Sequence, residues 1–218
     1  MIISDRVLDY DAIIYDDCGP SMESDLFLMF VFNDDEAYSI IDAFKEEEGI
    51  TLAFILLKDW QERMIPWESK AVKGKAKAGE LSRDIPPLLS ELSPLCAGKI
   101  NRRFIIGYSL GGLFATWESL SGEFDGFASV SGSMWYPGIH DYVSSKPLPS
   151  RLKKAYFSIG NKEGGKPSSP FHEAIVKSEA MAELFLKKGA KTIFELNEGN
   201  HFNDPSGRVI KAIRWLWK

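Results

Sequence analysis

Seven short apolar runs recur along the chain, and they limit the available folds more than any other feature of the sequence. They read DAIIY, DLFLMFVF, ITLAFILL, RRFIIG, FDGFASVS, KKAYFSIG and KTIFELN. Several are apolar on both faces, as strands are when helices cover both sides of a sheet. We therefore expect strands that are buried in the centre of the molecule.

Amphipathic helical patterns lie between these runs. In DEAYSIIDAFKEEEG, four apolar residues share one helical face: Ala37, Ile40, Ile41 and Phe44. Gly49 would end this helix, and Gly189 would end the helix in FHEAIVKSEAMAELFLKKG. In DPSGRVIKAIRWLWK, Asp204 is a candidate N-cap and Pro205 suits the first turn. This alternation predicts an α/β fold with a mostly parallel central sheet flanked by helices.

Composition and charge bound the class of protein. The chain has 218 residues, 44% hydrophobic and 26% charged, which is ordinary for a globular protein. With no internal repeat and no break in composition, we expect one domain over residues 1–218. The net charge of -5 argues against nucleic acid and anionic membranes as partners.

The start of the chain and the two cysteines bear on its location. MIISDRVLDYD lacks the basic and long apolar regions of a signal peptide, and no apolar run approaches the length of a membrane helix. Cys18 and Cys96 form no metal-type C-x-x-C pair and fit a reducing compartment. We therefore expect a cytoplasmic protein.

One segment, residues 60–79, has no clear periodicity. It reads WQERMIPWESKAVKGKAKAG and is rich in lysine. A charged run of this kind is usually a solvated loop. A long excursion in a compact domain is also often functional, so the alternative is a flap over an active site that attracts an anionic substrate.

GYSLG, residues 107–111, matches the nucleophile-elbow pattern G-x-S-x-G. The pattern is short, but the buried run RRFII precedes it and the helical pattern LFATWESL follows it. In such a strand–turn–helix the turn presents the serine above the sheet, and side chains at Gly107 and Gly111 would collide with neighbouring backbone. Ser109 is therefore a candidate nucleophile. The N–H of Leu110, at the start of the helix, would face developing negative charge.

A serine nucleophile needs a base, and the chain has three histidines. His201 lies in LNEGNHFNDP, between the last predicted strand and the last helix, which fits the order serine, acid, histidine of α/β-hydrolases. His140 and His172 are interpreted as surface or capping residues. His201 is therefore the candidate general base.

The third member of a triad orients the imidazole and stabilises its cation. KKAYFSIGNKEGG supplies Glu163 after the penultimate strand, with Asp204 and Asp141 as alternatives. The same loop, GNKEGGK, matches the first part of a phosphate-binding P-loop, but Pro167 stands where that motif needs Ser or Thr. Nucleotide binding is therefore the more remote hypothesis.

Four segments together resemble the putative-esterase family of α/β-hydrolases, which includes esterase D-like and enterochelin esterase-like enzymes. They are GYSLGG, SVSGSMWY, SIGNKE and GNHFNDPSGRVIKAIRWL. The resemblance extends from about residue 25 to the end. It implies a carboxylic-ester hydrolase that acts on a small-molecule ester without metal or organic cofactor. It also places Ser109, Glu163 and His201 at the triad positions.

The resemblance further implies a substrate-binding set, and ERMIPW resembles a short Arg-containing segment of the family. The candidate substrate-binding residues are Trp135, Tyr136, Arg63 and Trp67. The chain departs from the family in having VFNDDEA where relatives usually have a glycine that completes the oxyanion hole. A backbone N–H of Asp34 or Asp35 is the expected substitute. The abbreviated amino-terminal strands also imply that an extra strand or lid domain of some relatives is absent.

The reaction expected from these residues is cleavage of a carboxylic ester, with a thioester as the alternative, through an acyl-serine. The acidic NDDE loop would oppose an oxyanion if its side chains pointed inward. That loop leaves open a second reading, a catalytically silent hydrolase-fold protein that only binds a ligand. The acyl and alcohol groups and the oligomeric state are not specified by the sequence.

Overall fold

One eight-stranded sheet organises the chain in a computed structural model that describes residues 1–19, 22–72, 75–169 and 171–218. The strands are β1 (Ile2–Val7), β2 (Tyr10–Asp16), β3 (Glu23–Val31), β4 (Ile50–Leu56), β5 (Lys99–Tyr108), β6 (Gly126–Val130), β7 (Lys154–Gly160) and β8 (Lys191–Asn197). Their order across the sheet is β1-β2-β4-β3-β5-β6-β7-β8. The strands from β3 to β8 pair in parallel, whereas β2 is antiparallel to both β1 and β4.

Helices cover both faces of this sheet in the described residues. They are α1 (Asp34–Ile41), α2 (Trp60–Arg63), α3 (Ala78–Leu92), α4 (Leu110–Glu118), α5 (Ile139–Ser145), α6 (Ala174–Lys187) and α7 (Pro205–Trp217). Apolar side chains of α3, α4, α5 and α6 pack in one core cluster, and those of α1 and α7 pack in another. Alternate residues of one strand enter the two clusters: Ile105 faces the first, while Phe104 and Ile106 face the second. This two-sided burial explains why the strand runs are apolar throughout.

The predicted elements are confirmed, and the structure adds β1, α2, α3 and α5 to them. The seven apolar runs form β2 to β8, and the helical patterns form α1, α4, α6 and α7. The predicted helix end at Gly49 is wrong, because α1 ends at Ile41 and a 3-10 turn follows it only to Phe44. Asp204 caps α7 by accepting a hydrogen bond from the Gly207 N–H at 3.1 Å. The expectation of abbreviated amino-terminal strands missed β1, because IISDRV is a mostly exposed edge strand with polar residues at its centre. The sequence does not predict α3, because Pro86 and Pro87 lie inside that helix and proline normally interrupts helices.

The parallel strands bring four loops to one edge of the sheet. Strands β5, β6, β7 and β8 all end there, at Tyr108, Val130, Gly160 and Asn197. The loop at the carboxyl end of a parallel strand is where α/β proteins place their ligand sites. Within the described ranges, no helix combines the length and apolarity that crossing a bilayer requires.

A buried carboxyl group lies at the far end of α4 from this edge. Glu118 is 2% exposed, and the Ser82 hydroxyl on α3 donates a hydrogen bond of 2.6 Å to its Oε2. Burial raises the pKa of the Glu118 carboxyl to about 7. A raised carboxyl pKa means that folding favours the protonated form, so its contribution to stability is full below the ordinary carboxyl pKa. That contribution is lost as the pH rises through about 7.

We expect Glu118→Gln, which resembles the protonated form, to remove this pH dependence. A pKa difference of about 2.5 corresponds to roughly 3 kcal/mol when the group is fully ionised. The melting temperature of the variant, relative to the wild type, should therefore rise as the pH goes from 4.5 to about 7 and stay level above it. Glu80→Gln, at an exposed position of α3, is the control and should run parallel to the wild type. If the melting temperatures of Glu118→Gln and the wild type changed in parallel with pH, the raised pKa of Glu118 would be contradicted.

Candidate active site

Ser109 occupies a sharp turn between β5 and α4. Its backbone angles are φ 57° and ψ -118°, a conformation that residues with a side chain rarely adopt. Its carbonyl oxygen accepts hydrogen bonds from the N–H groups of Gly112, Leu113 and Ser133, at 3.1, 3.2 and 3.0 Å. The strained backbone is therefore held from α4 and from the loop that follows β6.

Glycine is required on both sides of this turn, although not at both predicted positions. A Cβ at Gly107 would lie 1.9 Å from the carbonyl oxygen of Gly111, which confirms the prediction for that position. The prediction for Gly111 is wrong, because a Cβ there would meet only the Met64 side chain, at 3.7 Å. The next residue, Gly112, is the crowded one, since its Cβ would approach the Gly132 Cα to 2.9 Å.

Ser109, His201 and Glu163 form one chain of hydrogen bonds. His201 Nε2 lies 3.1 Å from Ser109 Oγ, and His201 Nδ1 lies 2.7 Å from Glu163 Oε2. Ser109 follows β5, Glu163 follows β7 and His201 follows β8, so the three loops meet at the carboxyl edge of the sheet. The structure thus brings together the three residues that the sequence nominates, in the geometry of a nucleophile, a base and an orienting acid.

The Glu163 carboxyl is held by more than the histidine. Its Oε1 accepts hydrogen bonds from the Gly160 N–H at 2.7 Å, the Ser131 hydroxyl at 2.9 Å and Arg208 Nη1 at 2.7 Å. Burial raises the pKa of this carboxyl, but the hydrogen bonds from His201, Gly160 and Ser131 outweigh it and hold the pKa below its ordinary value. Glu163 is therefore an anion, as the stabilisation of an imidazolium requires.

Sequence reasoning missed three residues around this chain of hydrogen bonds. Ser131, at φ 47°, and Arg208 are both buried and both contact Glu163. The Tyr108 hydroxyl donates to the carbonyl of His201. Arg208 left a signal, because it lies on the buried face of α7, one turn before Ala212, where a charged residue is out of place. The sequence gives no signal for Ser131 beyond its position after a buried strand.

A cavity of about 630 Å³ opens beside Ser109. Its wall includes four aromatic side chains: Trp60, Trp135, Phe171 and Phe202. The ring of Trp135 packs edge-to-face on Phe171, with centroids 4.8 Å apart, and the Phe202 ring stands edge-on to His201. A largely apolar cavity with a few convergent polar groups is the usual form of a small-molecule site.

The predicted substrate-binding residues divide between the cavity and the structure behind it. Trp135 lines the cavity, whereas Tyr136, Trp67 and Arg63 do not. The Tyr136 hydroxyl donates to the Trp67 carbonyl, and the Trp67 indole N–H donates to the Pro137 carbonyl at 2.9 Å. Arg63 Nη2 binds Asp84 at 2.9 Å, and its guanidinium lies over the Tyr10 ring. Tyr136 and Trp67 therefore bind neighbouring backbone and Arg63 binds α3, so the structure does not place these three predicted substrate contacts at the cavity.

The predicted oxyanion donors at Asp34 and Asp35 are also placed elsewhere. Both lie in the first turn of α1, which Asn33 caps by accepting from the Glu36 N–H at 3.1 Å. Asp34 lines a separate depression with residues of β1 and β2, and neither aspartate lines the cavity. Leu110 does line it, and its N–H is the first of α4 and so has no partner within that helix. Of the predicted donors, Leu110 alone lies at the cavity.

The other candidate acids and the other two histidines lie outside the hydrogen-bond chain. Asp204 is the cap of α7, and Asp141 lies in the first turn of α5. His140 is exposed on α5, and His172 is exposed with its Nδ1 3.0 Å from the Gly165 carbonyl. In its described residues the P-loop-like segment leads to no helix before Ala174, and it turns Glu163 toward His201, so these residues give the nucleotide-binding interpretation no support.

The lysine-rich excursion of residues 60–79 lies partly against the cavity. Trp60, Ala71 and Val72 line it, and Lys77 forms an ion pair of 2.7 Å with Glu62. Lys73, with Gly74, falls outside the described residues. The position of this segment is compatible with the flap hypothesis, which stays a prediction.

The elbow geometry makes opposite predictions for two neighbouring glycines. Gly107→Ala should prevent correct folding or lower stability severely, because its methyl group would overlap the Gly111 carbonyl. Gly111→Ala is the matched control and should be neutral or stabilising by up to about 1 kcal/mol, since alanine favours a helix over glycine. Soluble yield and thermal melts measure both. A well-folded Gly107→Ala protein would refute the close approach on which the turn depends.

No protein-family model and no curated protein sequence matches this chain. Among solved structures it is similar to the siderophore hydrolase EstA from Aspergillus nidulans, with a TM-score of 0.71 and 16% identity over 99% of this chain and 92% of that one. The BES protein from Bacillus cereus gives 0.70 and 13%, over 99% and 93%. An IroE-like serine hydrolase from Shewanella oneidensis gives 0.69 and 15%, over 99% and 78%. The chain therefore has the α/β-hydrolase fold.

Proposed function

We propose that this protein hydrolyses carboxylic esters through an acyl intermediate on Ser109. The observation that carries the proposal is the hydrogen-bond chain from Ser109 through His201 to Glu163, set on a strained elbow beside a largely apolar cavity. Each group has the partner that its role requires: a base for the nucleophile and an anion for the base. The solved structures of hydrolases that share the fold support the same reaction class.

The steps follow from the positions of these atoms. His201 Nε2 takes the proton of Ser109 Oγ as the oxygen attacks the ester carbonyl, and the Leu110 N–H faces the resulting oxyanion. The protonated imidazole, stabilised by Glu163, then gives its proton to the leaving alcohol. Water attacks the acyl-serine with His201 again as base, and release of the acid restores Ser109. A thioester would follow the same steps with a thiol as the leaving group.

The cavity indicates the class of ester. Its aromatic wall favours a substrate with an uncharged, apolar or aromatic portion of small-molecule size. The lysine at its edge, Lys162, is paired with Glu198 at 3.0 Å, so it offers little net charge to an anionic substrate. We therefore propose a small neutral ester as the partner, and no observation favours the silent-binder alternative now that Asp34 lies away from the cavity.

The nucleophile and base are tested with an active-site probe and two alanine variants. A fluorophosphonate should label one residue of the wild type, and Ser109→Ala should abolish both labelling and turnover of p-nitrophenyl butyrate. His201→Ala should lose turnover by several orders of magnitude, because no other base reaches Ser109 in the described structure. His140→Ala, an exposed control on α5, should keep full activity. A wild type that stays unlabelled and inert toward a panel of esters would end the proposal.

The role of Glu163 is separated from that of Asp204 by two isosteric variants. Glu163→Gln should fold but lose turnover by up to about 10⁴, as when the orienting charge of a serine-protease triad is removed. Asp204→Asn should keep most of its activity and lose at most about 1 kcal/mol of stability, because it weakens only a helix cap. Matched kinetics and thermal melts decide between them. Little loss of turnover in Glu163→Gln would instead indicate a serine–histidine dyad.

A further inference from the structure

A buried arginine on α7 contacts three of the four loops that meet at the site, those after β6, β7 and β8. Arg208 is 2% exposed and makes four hydrogen bonds. Nη1 donates to Glu163 Oε1 at 2.7 Å and to the Ser131 hydroxyl at 2.8 Å. Nη2 donates to the carbonyls of Glu198 and Asn200, each at 3.0 Å, in the loop that carries His201. One guanidinium thus joins the acid to the backbone beside the base.

We propose that Arg208 is a positioning residue that fixes Glu163 relative to His201, an inference that rests on the proposed function. Within the described structure it makes no hydrogen bond to Ser109 or to the His201 side chain, so it acts through other groups. By binding Oε1 of Glu163, it leaves Oε2 directed at His201 Nδ1. By binding the carbonyls of Glu198 and Asn200, it sets the loop from which the imidazole projects.

The geometry requires arginine and not merely a positive charge. A planar guanidinium offers five N–H donors in a fixed fork, and here its two terminal nitrogens face different loops. A lysine ammonium is a single point and can satisfy one side of this arrangement only. A buried ion pair is also a weak source of stability, since desolvation offsets most of the attraction. Positioning of the acid therefore explains this pair better than stability does.

The first test is kinetic. Hydrogen-bonded partners that orient a metal-bound histidine contribute about 10- to 100-fold to activity, and we expect Arg208→Gln to lower kcat by a similar factor with KM nearly unchanged. Arg208→Lys should recover part of this loss. Arg214→Gln, at an exposed position of the same helix, is the control and should match the wild type. Wild-type kcat in folded Arg208→Gln would overturn the proposal.

The second test asks whether Arg208 acts through Glu163. In a Glu163→Gln background, Arg208→Gln should lower kcat by no more than about twofold further, because residues that act as one unit are not additive. A purely structural arginine would give the full loss in both backgrounds, and that result would overturn the proposal. Thermal melts accompany every variant, and Arg208→Lys carries the comparison if Arg208→Gln does not fold.

The third test needs no substrate, so it separates this inference from the proposed function. The proton on His201 Nδ1, hydrogen-bonded to Glu163, should give a low-field proton resonance that Glu163→Gln abolishes. Arg208→Gln should shift this resonance upfield or broaden it, and Arg214→Gln should leave it in place. If the wild type hydrolyses no ester but this pattern holds, only the proposed function fails. If esters are hydrolysed and the resonance is unchanged in Arg208→Gln, only the positioning role fails.

Discussion

The close approach between β5 and α4 is the constraint on which the site depends. The Gly107 Cα and the Gly111 carbonyl come so near that no side chain fits between them, and this contact forces Ser109 into its strained conformation. Its carbonyl then accepts the Ser133 N–H, which fixes the loop after β6. That loop supplies Ser131 to the acid and Trp135 to the cavity wall. A backbone contact within one turn therefore sets both the position of Ser109 and part of its surroundings.

Backbone contacts between neighbouring loops place the other two groups. The Asn161 N–H binds the Asn197 carbonyl at 2.8 Å, and the Lys162 N–H binds the Gly199 carbonyl at 3.0 Å, so the loops after β7 and β8 continue the pairing of their strands. The Tyr108 hydroxyl joins the second loop to the elbow through the His201 carbonyl. The imidazole is thus held between its two partners by backbone that is itself hydrogen-bonded.

The sequence predicts most of the fold and the three side chains of the hydrogen-bond chain because their signals are local or follow chain order. Each strand run, each helical period and the glycine elbow is contained in a short stretch of sequence. The serine, acid, histidine order follows from the topology. The sequence misses features that depend on where a side chain points or on contacts between residues far apart in the chain. Trp67 and Tyr136 lie next to site motifs in sequence, yet their side chains turn into the wall. Arg208 meets Ser131 across 77 positions, which no local pattern encodes.

The distribution of charge ties these groups to the proposed reaction. The anion of Glu163 is balanced by Arg208 behind it, and Lys162 is paired at the exposed edge, so a neutral ester meets no isolated ion among the described residues that line the cavity. Charge separates only when Ser109 attacks, as the oxyanion forms near the Leu110 N–H and the imidazolium forms against Glu163. Interactions that strengthen only at that stage lower the barrier without tightening substrate binding. An arginine that keeps Glu163 in place before the substrate arrives contributes to this preorganisation, and its loss should therefore appear in kcat more than in KM.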